Sequence, residues 1–254
     1  MTDFHLSRPS LTTNDSAVLQ ALFDAESSPS SAVTIDPSLP PFPPHLHITA
    51  ETYEGLKARE LAIIRTLQPS DVSPETIRSA LQNLDALITE HPTYPPAYMN
   101  RAQAQRLLIT TTTTTPATTQ SSNDDADEQI FIPANASAAS ALFDDLGRTI
   151  AYATPKSPAD AVSTVQARVL ADAHTHRAYL LLKLKRARQD GSDGGPEKLK
   201  GCAPEEIEEM ASRDFFLGGR FGNKVAQQMA VQTNPYAKMC GAIVKEALRK
   251  EVEG

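Results

Sequence analysis

The chain has 254 residues, 40% hydrophobic and 22% charged, enough for one large packed domain or two small ones. Lys and Arg number 24 against 31 Asp and Glu, a net charge of −7, so no basic surplus exists to displace counterions from phosphates, and nucleic acid is excluded as the main partner. Cys202 and Cys240 stand 38 positions apart, which excludes a disulfide framework and a zinc ribbon. Met1 to His5 carries no basic stretch followed by an apolar one, and the longest apolar run, Ala178 to Leu182, is too short to span a bilayer. The chain is therefore expected to be soluble and cytoplasmic, with the nucleus also open, and to bind no membrane. Its mean hydropathy is −0.33, with the apolar residues in clumps, so part of it is expected not to pack.

Asn14-Asp15-Ser16 can cap a short amphipathic helix bearing Val18, Leu19, Leu22 and Phe23. Glu26 to His47 is rich in Ser and Pro, which removes backbone donors and favours polyproline II, so it reads as a linker. Residues 1–48 thus form a short helix plus a linker, and 49–254 the main domain. Leu56, Leu61, Ile64 and Leu67 fit one helix face. Ser73 and Pro74 restart a second helix as N-cap and first residue, with Ile77, Ala80, Leu81, Leu84, Leu87 and Ile88 on its apolar side. Pro95-Pro96 opens a third, through Ala97, Tyr98, Ala102, Leu107 and Leu108.

Six threonines, Thr110 to Thr115, then Pro116 and the acidic run Asp124 to Glu128 are poor helix material, and 109–132 is expected to be a disordered insertion. Helix resumes from about Ala136 to Ala153 and again from Ser163 to Arg188, whose basic last turn suits the helix dipole. Asp190 to Pro196 reads as a flexible break. A helix from Pro204 is expected to end at Gly218-Gly219 and Gly222. Short helices follow over Val225–Val231 and after Asn234-Pro235. No segment alternates at period two, so the fold is expected to be all-α.

Antiparallel helix pairs recur, with Ala80, Leu84, Leu87 and Pro92 at the spacings of positions 20, 24, 27 and 32 of a tetratricopeptide repeat. Counting on by that period puts Tyr98 at position 4, Ala102 at 8 and Gln105 at 11 of the next unit. Ala178, Ala211 and Phe215 mark a third. Small residues let the two helices of a pair approach, and larger ones fill the neighbouring groove. The units span about 50–92, 95–153 and 163–218, followed by C-terminal helices over 223–252. Three segments extend the pattern: Asn14 to Phe23, Tyr98 to Leu107 and Asn234 to Cys240. With them the chain resembles the tetratricopeptide repeat protein 36 family, over most of its length. The resemblance implies a solenoid adaptor linked to binding heat-shock proteins of the seventy-kilodalton class. It also implies a link to tyrosine metabolism, through protection of 4-hydroxyphenylpyruvate dioxygenase.

Tyr98, Asn100, Arg101 and Gln105, on the first helix of the second unit, are the candidate partner-binding residues. Repeat proteins that grip a C-terminal carboxylate use Lys and Asn, then Asn, then Lys and Arg on successive first helices. Asn100 matches one slot. The first unit offers Ile63 or Ile64 with Arg59 nearby, and the third offers Asp172 and His176, where an aspartate would repel a carboxylate. Asn100 thus reads as a structural hydrogen-bonding residue. His174 and His176 are two apart on a helix and cannot easily share a metal, and His45 and His47 lack a cysteine or acidic partner. Gly218 to Lys224 lacks phosphate-loop spacing and follows a helix, so Gly222 reads as a left-handed helix stop. Cys202 has no assignable catalytic partner. No catalytic residue, metal or cofactor is expected. The chain reads as a non-enzymatic adaptor for a protein partner, either a heat-shock chaperone or a metabolic enzyme. A self-associating scaffold is the alternative.

Overall fold

A computed structural model describes residues 33–69, 71–113, 123–234 and 249. The expected helices over Val18–Phe23 and after Pro235 lie outside the described residues, apart from Arg249. Thr34 onward forms one compact unit. Its described α-helices are α1 (Ala50–Arg65), α2 (Pro74–Glu90), α3 (Pro95–Thr113), α4 (Asn123–Glu128), α5 (Ala136–Ala153), α6 (Thr164–Gln189), α7 (Pro204–Arg220) and α8 (Lys224–Thr233). The fold is all-α, as expected. Among the described residues the only extended pairing is an isolated parallel bridge between Ile35 and Val162.

The helix starts follow from local chemistry. The side chains of Thr49, Ser73, Ser163 and Asn223 each accept a hydrogen bond from the backbone N–H three residues on, satisfying one orphan donor apiece. At α7, where Ala203 cannot cap, the Glu206 carboxylate reaches back to the Ala203 N–H at 2.8 Å. Helices then stack in chain order as a solenoid of pairs: α2 on α3, α3 on α5, α5 on α6, α6 on α7 and α7 on α8.

One core cluster runs through α3, α5, α6 and α7, around Ala102, Leu142, Leu146, Leu180, Leu184 and Ile207. Ala102, Ala178, Ala211 and Phe215, which marked the repeat, are all buried. Leu61 is not; it stands exposed on α1. Ala102→Leu is expected to destabilise the chain by about 1–3 kcal/mol, because the added carbons would have to enter a core in which Ala102 is wholly buried. Chemical denaturation checks this, and a wild-type midpoint would contradict the packing.

Four expectations need correction. The linker ends earlier than its prolines suggest. Phe42, Leu46 and Ile48 are buried against Leu56, Leu87 and Tyr94. The segment is strapped down by bonds from the Ser163 hydroxyl to the Pro41 carbonyl (2.7 Å) and from Thr93 to the Leu46 carbonyl (2.8 Å).

Residues 109–132 are not one disordered insertion. α3 continues to Thr113, α4 begins at Asn123, and Ile130 and Phe131 are wholly buried in the main core. Residues 114–122 lie outside the description.

The stretch from Asp190 to Pro196 is packed, with Gly194, Gly195 and Pro196 buried and the Ser192 hydroxyl bonded to the Phe131 carbonyl at 2.6 Å. Gly218 and Gly219, finally, do not end α7. They are buried within it, where a Cβ on Gly218 would lie 2.7 Å from Thr175 Oγ1, so they let α7 approach α6 and α8. The turn itself comes at Gly222, with φ of 102°.

Candidate functional site

The first helices of the three pairs, α1, α3 and α6, supply one surface of the solenoid. A groove of about 490 Å³ lies there, with Ile64 from α1, Leu67 and Gln68 from the turn that follows it, Asn100, Gln103, Ala104, Arg106, Leu107 and Thr110 from α3, and His176 from α6. Its remaining wall is Ala126 and Asp127 of α4, so the insertion builds part of the groove.

That wall is fixed electrostatically. Arg106 donates two hydrogen bonds to Asp127, Nε to Oδ1 at 2.7 Å and Nη2 to Oδ2 at 2.6 Å, and the Tyr179 hydroxyl donates a third at 2.8 Å. Asp127 is 1% exposed, so its charge is tolerable only because this fork meets it. Arg106 is the one cation among the described lining residues, and it is already spent on Asp127.

Of the four candidate binding residues, the structure places one, Asn100, in the groove. Its Nδ2 donates to Glu60 at 2.5 Å, and Glu60 also accepts from the Tyr94 hydroxyl, so Asn100 ties α3 to α1. Burial raises the Glu60 carboxyl above its usual range, against the lowering effect of those two bonds.

The other three converge elsewhere. Arg101 grips Asp145 on α5 with Nε at 2.7 Å and Nη2 at 2.6 Å, and reaches Asp85 on α2 at 2.6 Å. Gln105 donates to the same Asp145 at 3.4 Å. Tyr98 is 2% exposed, bonds the Pro92 carbonyl, and carries the Arg101 and Arg148 guanidinium groups against its ring. These side chains hold helices together.

The same device recurs in the next pair. Arg177 on α6 grips Asp214 on α7 at 2.6 and 2.7 Å, and His174 Nδ1 meets Asp214 at 2.8 Å. Arg101 and Arg177 each precede the small residue of their helix, Ala102 and Ala178. Asp145 and Asp214 each precede a buried large one, Leu146 and Phe215. This pairing of dipeptides is a repeat signal that apolar periodicity does not read.

The two third-unit residues weighed as clamp positions part company. Asp172 lines a separate hollow with Arg168, Phe221 and Lys224, away from Asn100. His176 reaches the groove, and neither ring nitrogen has a hydrogen-bond partner. Each unmade bond costs about 1–3 kcal/mol. His174, two residues away, serves the opposite contact with Asp214, as the helical spacing requires. Among the described residues no three His, Cys, Asp or Glu side chains gather closely enough to hold a metal ion. No helix among them is long and apolar enough to cross a membrane.

Burial pushes the His176 imidazole down to about 4, with Arg106 lowering it further and Asp127 opposing. The ring is neutral in the folded chain at neutral pH, whereas the unfolded chain takes up its proton near the ordinary histidine value of 6.5. Stability from this residue is therefore undiminished above pH 6.5, falls as pH drops to about 4, and levels off below. The full loss is on the order of 3 kcal/mol. Denaturation of His176→Phe across that range should show a correspondingly shallower acid decline; an unchanged slope would contradict the burial.

No family model matches the chain. No solved structure matches it either. Over 252 residues, 98% of this chain and 96% of the relative, it is 67% identical to a protein of Aspergillus fumigatus, the L-tyrosine degradation gene cluster protein hmgX.

Proposed function

Because the chain belongs to the family of the Aspergillus fumigatus L-tyrosine degradation gene cluster protein hmgX, we propose that it serves L-tyrosine degradation as a non-enzymatic adaptor holding a protein partner in its groove. In this reading the partner is 4-hydroxyphenylpyruvate dioxygenase, brought to or kept with a heat-shock chaperone of the seventy-kilodalton class. The tetratricopeptide repeat protein 36 resemblance is what names them.

The observation that carries the adaptor reading is the groove itself. It crosses three successive first helices and is lined by apolar side chains and carboxamides, chemistry suited to an extended polypeptide. The carboxylates beside it are already bonded, Asp127 to Arg106 and Tyr179, Glu60 to Tyr94 and Asn100. Neither is poised as an acid or base. The absence of an unspent cation among the described lining residues also argues that a chaperone would not be held by a free C-terminal carboxylate.

The test is tagged capture from cells grown on L-tyrosine as carbon source, with mass spectrometry, beside growth of a deletion strain. Enrichment of the dioxygenase and slowed growth on tyrosine are expected. Normal growth and no tyrosine-degrading enzyme among the captured proteins would overturn the reading. Capture of the chain's own copies alone would favour a self-associating scaffold.

A further inference from the structure

We propose that His176 is the specificity subsite of the groove, and that it takes an uncharged hydrogen-bonding side chain, a hydroxyl or a carboxamide, from an extended partner segment. This rests on the adaptor reading and deepens it.

The argument is one of matching donors and acceptors. A neutral imidazole offers one N–H donor and one nitrogen acceptor, and both are unmade in the structure. Both are buried on a residue that lines the groove, so a bound side chain there supplies the partner that the protein does not. Ser, Thr, Asn and Gln side chains each both donate and accept, so they fit whichever nitrogen is offered.

A carboxylate only accepts, and it would sit beside Asp127, whose own hydrogen bonds already engage Arg106. An ammonium only donates, and Arg106 stands in the same wall. Charged side chains are thus disfavoured from both signs.

The surroundings fit the flanks of such a segment. Ile64 on α1, Leu67 just after it and Leu107 on α3 give apolar surface on both sides. Gln68 and Gln103 have no side-chain hydrogen bond among the described residues, so their amides are free to meet peptide backbone. The charge pattern matches a neutral segment, and a neutral segment with one polar side chain is the occupant proposed.

The test uses random nonapeptides displayed internally, with no free carboxylate, panned on the full chain and on His176→Phe. The wild type should enrich peptides carrying Ser, Thr, Asn or Gln at one position between apolar residues, and His176→Phe should lose that preference. The best peptide, made synthetically, should bind at least tenfold more weakly to His176→Phe. It should weaken as much when its own polar residue becomes Ala, a change that leaves the protein untouched and separates recognition from folding.

Failure to enrich, enrichment of acidic or basic peptides, or equal binding by the Ala peptide would overturn the inference. Selection of neutral polar peptides without capture of any tyrosine-degrading enzyme would leave it standing and remove the assigned partner. Capture of the dioxygenase by a groove indifferent to His176→Phe would do the reverse.

Discussion

Gly194→Ala is expected to lose more than about 3 kcal/mol of stability, a severe effect for one methyl group. A Cβ at this position would lie 2.0 Å from the Phe131 carbonyl oxygen and 2.4 Å from the Ile132 carbonyl carbon. Both obstacles are backbone, so no side chain can turn aside to make room. The contact is where the Gly-rich turn after α6 lies flat against the segment entering α5, with the Ser192 hydroxyl bonded to the same carbonyl. Gly147→Ala is the control. Nothing lies within 4 Å of its added methyl in α5, and the change should stabilise by about 0.5–1 kcal/mol through helix propensity and unfolded-state entropy. Urea denaturation of both separates packing from propensity, and equal midpoints would contradict the close approach.

Asp214→Ala should cost about 3–5 kcal/mol, because it strands the Arg177 guanidinium that the aspartate had held in a fork, and Asp145→Ala should cost somewhat less, because Arg101 keeps its pairing with Asp85. The two carboxylates are 3% and 5% exposed. Replacing both partners is expected to be far milder. Arg101→Met with Asp145→Leu removes the charges together, so most of the loss should return while Asp85 remains in solvent. For Asp214, burial raises the carboxyl, but the bonds from Arg177 and His174 outweigh it and hold it below the usual range. Its contribution is therefore complete above the ordinary carboxyl value of 3.8 and lost only as pH falls through the lower folded value. A double-mutant cycle by denaturation checks the pairing; additive losses would show that the forks are not coupled.

Those forks also mark where the sequence could be read and where it could not. Ser73 and Pro74 announce the start of α2 through local chemistry alone, and Ala102, Ala178 and Phe215 announce close packing through spacing, so the helices and much of the core were legible. Asp127 was not. An aspartate in an acidic run normally stays solvated, and this one is buried because Arg106, 21 positions earlier, and Tyr179, 52 later, converge on it. The prolines before α1 misled for a similar reason. They lack backbone donors, but Phe42 and Leu46 between them find a pocket made by helices distant in sequence. Among the binding candidates, Asn100 was legible as an interhelix hydrogen-bonding residue, the role its bond to Glu60 gives it. Arg101 carries the right chemistry for a partner, and only the fold reveals that Asp145 takes it first.

The groove claim is tested most directly by titration calorimetry of the purified chain with purified 4-hydroxyphenylpyruvate dioxygenase. Gln103→Trp serves as the blocking variant, because Gln103 is an exposed groove residue where a large ring fills the space without entering the core. Saturable binding by the wild type, weakened at least tenfold by Gln103→Trp with helicity unchanged, is the expected result. No binding heat with the wild type, or the same affinity for both chains, would contradict an adaptor that works through this groove.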